Sequence, residues 1–157
     1  MSDNNYLSKY AKSFSWAGFF LPKKIYFKCS NLYDFCRTID NIADDEGEIA
    51  IKRNNFSDFK NKFNNHDFRD PIIKNMWSLI EEYGISRKIV NDLFDGVESD
   101  LKKKVQINSK KELFIYSYRV AGTVGLMMAK ILNVKDKNSL KSAIDLGIAM
   151  QLTNISR

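Results

Sequence analysis

The chain holds two prolines, seven glycines, two cysteines and a single histidine in 157 residues, and each scarcity removes a class of explanation. With so few turn-forming residues, and with apolar residues recurring at spacings of three and four, the sequence reads as all-α. No segment shows the period of two that marks a half-buried strand. The absence of a Ser/Gly/Pro-rich linker leaves one domain, or part of one, and 44% hydrophobic content suffices for one sizeable core. Cys29 and Cys36 lie seven positions apart on one apolar helical stripe, too distant to bridge and without a wider ligand set. Both read as reduced core thiols. His66, alone in NNHDFRD, reads as a surface loop residue rather than a ligand or base.

Long hydrophobic runs are missing too. MSDNNYLSKY has no apolar stretch of the signal-peptide kind, and the uncharged run 120–129 is too short to span a bilayer, so a cytoplasmic protein is expected. The formal net charge is +6 and the pI near 9.2, a balance that suits nucleic acid, anionic lipid or a phosphorylated substrate. Lysines are scattered, Lys102, Lys103 and Lys104 form only a short cluster, and the aromatics fall at helical core spacing rather than between basic residues. No nucleic-acid partner is expected on that pattern. A diphosphate-bearing substrate accounts for the same charge.

What is present in concentrated form is a polar stripe. Tyr33, Arg37, Asp40 and Asp44 in YDFCRTIDNIADD stand at offsets 0, 4, 7 and 11, within one narrow band of a helix. Two ionised carboxylates one turn apart repel, and an ordinary surface helix gains more from an Asp and Lys pair. A divalent cation between them reverses that cost. Mg²⁺ ordinarily takes one or two carboxylates with waters and phosphate oxygens, and arginine suits the remaining phosphate charge. Asp44, Asp45, Glu46 and Glu48 also read as a solvated exit into the loop at Gly47. The apolar stripe Ile25, Cys29, Leu32, Cys36, Ile39 and Ala43 runs beside the acidic one and points instead to a cavity wall. This helix is expected over about 22–44, with Pro22 in its first turn.

A short helix over 6–12 is expected before KSFSWAGFFLP, and Phe56, Phe59 and Phe63 mark a packing helix within an Asn-rich segment. Asp70 and Pro71 form an N-cap and first-turn pair for a helix that stops near Gly84. Ser86 can cap the next, whose inward residues are Ile89, Val90, Leu93, Phe94, Val97 and Leu101. The stretch 116–132, YSYRVAGTVGLMMAKIL, is apolar except at Arg119 and Lys130 and is expected to be a central, largely buried helix. Gly122 and Gly125 cost up to about 1 kcal/mol each relative to alanine there. Close helix packing or room for a long apolar ligand would each answer that cost. The last segment is helical with Leu140, Ala143, Ile144 and Ile148 inward, and Gly147, Gln151 and Asn154 repeat the offsets 0, 4 and 7.

With these segments placed, the sequence resembles the squalene and phytoene synthase family, the head-to-head prenyl diphosphate synthases. SFSWAGFFLP is similar to the family's SFxxAxxxLP segment, YDFCRTIDNIADD to its YAFCRxxDDxxDD helix, and YSYRVAGTVGLM and LGIAMQLTNISR to its central and late motifs, in the family's order. The resemblance implies the N-terminal part of an isoprenoid synthase-type helical bundle with a central cavity. It implies that Asp40 and Asp44 bind Mg²⁺ bridged to a prenyl diphosphate, with Tyr33 and Arg37 beside that diphosphate. Ser13 and Phe14 would belong to the segment covering the active site. Tyr116, Val120, Gly122 and Gly125 would line the cavity around the prenyl chains, and Gln151 and Asn154 would supply the late polar motif. In the family's reaction one prenyl diphosphate ionises and a second attacks the allylic cation, giving a cyclopropylcarbinyl diphosphate that ionises and rearranges.

The sequence also departs from the family's pattern. The second aspartate-rich motif normally follows TNIxR, where this sequence reaches Arg157, so a truncated or partial chain, inactive alone, is expected. Asn41 stands where many relatives have Asp, and Val105 and Gln106 where the family often has a basic residue and Tyr. RVAGTVGLM leans toward a phytoene synthase acting on geranylgeranyl diphosphate. The alternatives are a squalene or presqualene diphosphate synthase using farnesyl diphosphate, and a non-catalytic helical binding or assembly protein. Lipid-like substrates also suit peripheral membrane contact without an anchor.

Overall fold

The computed structural model describes residues 20–102 and 107–157. Ser13, Phe14, Val105 and Gln106, with the short helix expected over 6–12, lie outside the described residues. Within them the chain runs through α1 (Lys23–Asp44), α2 (Ile49–Asn64), α3 (Pro71–Tyr83), α4 (Arg87–Asp100), α5 (Lys110–Ser117), α6 (Thr123–Ile131) and α7 (Lys137–Ile155). No strand occurs among the described residues. None of the described helices is long and apolar enough to cross a membrane.

α1 is the axis of the core. Pro22 precedes its first residue rather than lying in the first turn, and its carbonyl accepts from the Tyr26 N–H at 3.0 Å. Cys29, Leu32 and Ile39 of the apolar stripe are buried, while Ile25, Cys36 and Ala43 pack partly buried against the same core. Phe35, outside that stripe, is fully buried as well. Its ring meets Phe63 at 5.5 Å and Phe94 at 5.8 Å, and Phe63 meets Phe94 at 5.4 Å. These contacts lock α1, α2 and α4 together and explain how the Asn-rich α2 persists against its poor propensity: burial of Phe56, Phe59 and Phe63 outweighs it.

The helix ends follow the expected chemistry. The Asp70 carboxylate accepts the Ile72 N–H at 2.8 Å with Pro71 in first position, Gly84 closes α3 at φ 59°, and Ser86 caps α4 through the Lys88 N–H at 3.2 Å. All six inward residues expected of α4 and its end are buried.

The expected helix over 116–132 needs correction. Helical backbone begins at Lys110 and passes through a π-helical turn, Tyr118–Gly122, into α6 without a break. In that turn the Thr123 N–H reaches Tyr118 O, and the Thr123 hydroxyl donates at 2.7 Å to the carbonyl of Arg119 that the widened turn releases. Ser117, Gly122, Thr123, Met127, Ala129 and Ile131 are buried and the other residues of 116–131 are half-buried, whereas Phe114, Ile115 and Leu132 are exposed. α1, α3, α4 and α7 all pack on the rod, and its α5 end carries the exposed apolar residues because fewer described elements reach it. For the same reason Leu140, Ala143, Ile144 and Ile148 of α7 are half-buried, and Gly147 alone in that helix is buried.

Gly125 and Gly147 explain how closely α7 crosses the rod. A Cβ at Gly125 would stand 2.3 Å from the Ala143 carbonyl oxygen, and one at Gly147 would stand 2.4 Å from that of Ala121. Both distances are far inside contact with rigid backbone. Close packing therefore accounts for the glycines of this rod.

Candidate functional site

Three helix ends converge where the polar stripe predicted them to be needed. α1 carries Tyr33, Arg37 and Asp40 half-buried and ends at exposed Asp44. α4 ends at Asp100, and α5 presents Tyr116, whose hydroxyl donates to Asp100 Oδ2 at 3.1 Å. Asp100, which the sequence reading did not single out, joins this group.

The electrostatics agree with that grouping. Burial pushes the Asp40 carboxyl up to about 6, Asp44 raises it further, the Arg37 guanidinium opposes the rise, and Asp100 adds to it. Asp100 is raised by its own burial and by Asp44, against the Tyr116 hydrogen bond. Burial likewise raises the phenol of Tyr116, with Asp100, Asp40 and Asp44 all contributing. Tyr33 is raised by burial first, with Arg37 opposing and Asp40 adding. Asp40, Asp44, Asp100 and Tyr116 therefore form one coupled group, with Arg37 as its adjoining cation.

This donor set fits a divalent cation. Carboxylate oxygens are the hard ligands that Mg²⁺ prefers, and their mutual repulsion, visible in the raised Asp40, is what a cation relieves. Among the described residues no group of three or more His, Cys, Asp or Glu side chains is arranged as a ready metal cage. The protein side thus offers Asp40 and Asp44, and the remaining ligands of such an ion are left to water and phosphate oxygens.

Other expected site residues sit differently. Val120 is half-buried in the π-turn, where its Cγ1 lies 2.9 Å from the place a Cβ at Gly96 would take, so it packs on α4. Gly122 faces Ile144 and Ile148 of α7. Gln151 is half-buried and Asn154 exposed, on the side of α7 that carries Gly147. Among the described residues no side-chain hydrogen bond joins either of them to the carboxylates. His66 is exposed in a left-handed turn at φ 57° and stacks on Trp77 at 3.9 Å between centroids. Two surface hollows, of about 520 and 330 Å³, lie around His66 and around Lys130. Neither is the central cavity that the resemblance implies.

Residues 7–157 match the squalene/phytoene synthase family. A phytoene synthase of Pseudescherichia vulneris is 32% identical over 138 residues, covering 80% of this chain and 44% of that protein. One of Cereibacter sphaeroides is 30% identical over 156 residues, covering 92% and 44%. A presqualene diphosphate synthase of Sinorhizobium fredii is 27% identical over 128 residues, covering 80% and 46%. The crystal structure of a dehydrosqualene synthase in complex with ligand superposes with a TM-score of 0.77 at 27% identity, covering 95% of this chain and 52% of that one. The chain spans about half the length of the relatives it matches. That family consists of prenyl transferases acting on prenyl diphosphates, built on the isoprenoid synthase helical fold. On its sequence match and its α1 to α7 architecture, this chain belongs to the squalene/phytoene synthase family.

Proposed function

We propose that this chain supplies the first metal and diphosphate wall of a phytoene synthase-like enzyme, which condenses two geranylgeranyl diphosphates head to head through a cyclopropylcarbinyl diphosphate. The observation that carries this reading is the grouping of Asp40, Asp44 and Asp100 against Tyr116 and Arg37. Asp40 and Asp44 would hold Mg²⁺, which when bound neutralises charge developing on the leaving diphosphate. Arg37 complements the remaining phosphate charge, and Tyr33 lies one turn before it on the same face. Tyr116 keeps its proton and spends it on Asp100, holding that carboxylate in place beside the site. Gln151 and Asn154 are assigned to the substrate side, whereas Val120, Gly122 and Gly125 act through packing, setting how closely α4 and α7 lie on the rod that floors the prenyl chains. An apolar floor keeps water from the allylic cation.

A farnesyl diphosphate reaction is the second reading, favoured by the presqualene diphosphate synthase and dehydrosqualene synthase among the relatives. Incubating the protein that carries this chain with Mg²⁺ and each donor, then extracting hydrocarbon, separates the two. A C40 product from geranylgeranyl diphosphate is expected. A C30 product from farnesyl diphosphate alone would replace the proposal, and no consumption of either donor would favour a non-catalytic helical binding protein.

A further inference from the structure

The carboxylates stand at the wrong ends of their helices. Asp40 and Asp44 lie toward the C-terminus of α1, and Asp100 is the last residue of α4, where unpaired carbonyls already make the potential negative. Neither helix has a basic residue in its last turn. An ordinary helix places Lys or Arg there, so both ends ought to fray and let the carboxylates drift apart.

Two consecutive residues of α2 answer both ends. Lys52 Nζ donates to the Ala43 carbonyl at 3.2 Å, inside the last turn of α1. Arg53 Nε donates to the Leu101 carbonyl at 2.8 Å, at the C-cap of α4. Each satisfies a carbonyl that its own helix cannot, and each brings a cation to the negative end of the dipole. Because they are adjacent on one helix, which Phe56, Phe59 and Phe63 anchor in the core, the two caps are fixed relative to each other. Among the described residues neither cation is ion-paired with the carboxylates of the site; both act on backbone carbonyls.

We infer that Lys52 and Arg53 are positioning residues, a clamp from α2 that holds the ends of α1 and α4 in register so that Asp40 and Asp44 keep their place beside Asp100 and can take a divalent cation. This rests on reading those carboxylates as a metal and diphosphate wall. The sign of the effect distinguishes the clamp from plain charge. Removing a nearby positive charge should by Coulomb attraction alone tighten cation binding, whereas loosening the two helix ends should weaken it.

The test is Mn²⁺ binding to the 157-residue chain, read from the electron paramagnetic resonance of free Mn²⁺, with helix content followed by circular dichroism. Lys52→Met and Arg53→Met keep the apolar stem and lose the cap, and each is expected to weaken Mn²⁺ about three- to tenfold. Lys52→Arg is expected to restore binding. Hydrogen exchange should quicken in 41–44 for the first variant and in 97–101 for the second. Unchanged or tighter Mn²⁺ in both methionine variants, alongside weakening by Asp40→Asn, overturns the clamp and leaves the site reading intact. If the unaltered chain binds no Mn²⁺, or Asp40→Asn binds as well as it does, the site reading fails and the clamp with it. Each cation is removed singly, so a variant that loses helix content leaves the other to decide. Loss in both would mark the pair as merely structural and overturn the inference.

Discussion

Asp40 is held at a cost, and that cost sets a prediction with a definite sign. Its carboxyl titrates near 6 in the fold against an ordinary 3.8, so the protonated form favours the fold. That contribution is fully present below the ordinary value and is lost as pH rises through about 6. At neutral pH the metal-free fold therefore carries an ionised Asp40 that opposes it. Asp40→Asn should stabilise the metal-free chain by on the order of 1 kcal/mol, after discounting the shift for solvent screening. The gain in denaturation midpoint should shrink as pH falls from 7 toward 4, and a loss of stability would contradict it. At this scale the sequence was informative in part. Tyr33, Arg37, Asp40 and Asp44 were legible because one helical period places them on one band. Asp100 was not, because its approach to Asp44 is a tertiary fact that no spacing within α4 encodes.

The same boundary runs through the elements. α2, α3 and α4 could be placed from Phe spacing, Asp70 with Pro71, and Ser86, since caps and apolar periods act locally. The π-turn of Tyr118–Gly122 could not, because the phase shift of one extra residue does not show in a segment that is apolar on nearly all sides, and the Thr123 hydroxyl on Arg119 O stabilises it through side-chain chemistry outside that pattern. The expectation of a central, largely buried helix over 116–132 agrees with its packing on α1, α3, α4 and α7, and the exposed apolar residues lie at its margins, Phe114 and Ile115 before it and Leu132 at its end. The glycines of the rod and α7 yield a prediction for this crossing. Gly147→Ala drives a Cβ to within 2.4 Å of the Ala121 carbonyl oxygen and should lower stability by about 1–3 kcal/mol in chemical denaturation. Gly47→Ala, with no atom within 4 Å of the added carbon, should change it by about 0.5 kcal/mol or less. Equal effects at the two positions would contradict the account of the crossing.

At the scale of the molecule, the core and the candidate site use neighbouring faces of the same helices. The phenylalanine cluster joins α1, α2 and α4 through their inward faces, and the carboxylates project where α1 and α4 end beside α5. Leu146, Met150 and Ile155 of α7 and Phe114 and Ile115 of α5 are exposed, so the described part leaves an apolar face open to water. Ion and diphosphate capture needs only the polar wall, whereas guarding a carbocation needs that face covered. The central claim is accordingly about capture. It is tested most directly by calorimetric titration of inorganic pyrophosphate into the 157-residue chain, with and without Mg²⁺, for the unaltered sequence and for Asp40→Asn. The account predicts binding that requires Mg²⁺ and falls at least tenfold in Asp40→Asn. Binding that is indifferent to Mg²⁺, or that survives Asp40→Asn unchanged, would contradict it.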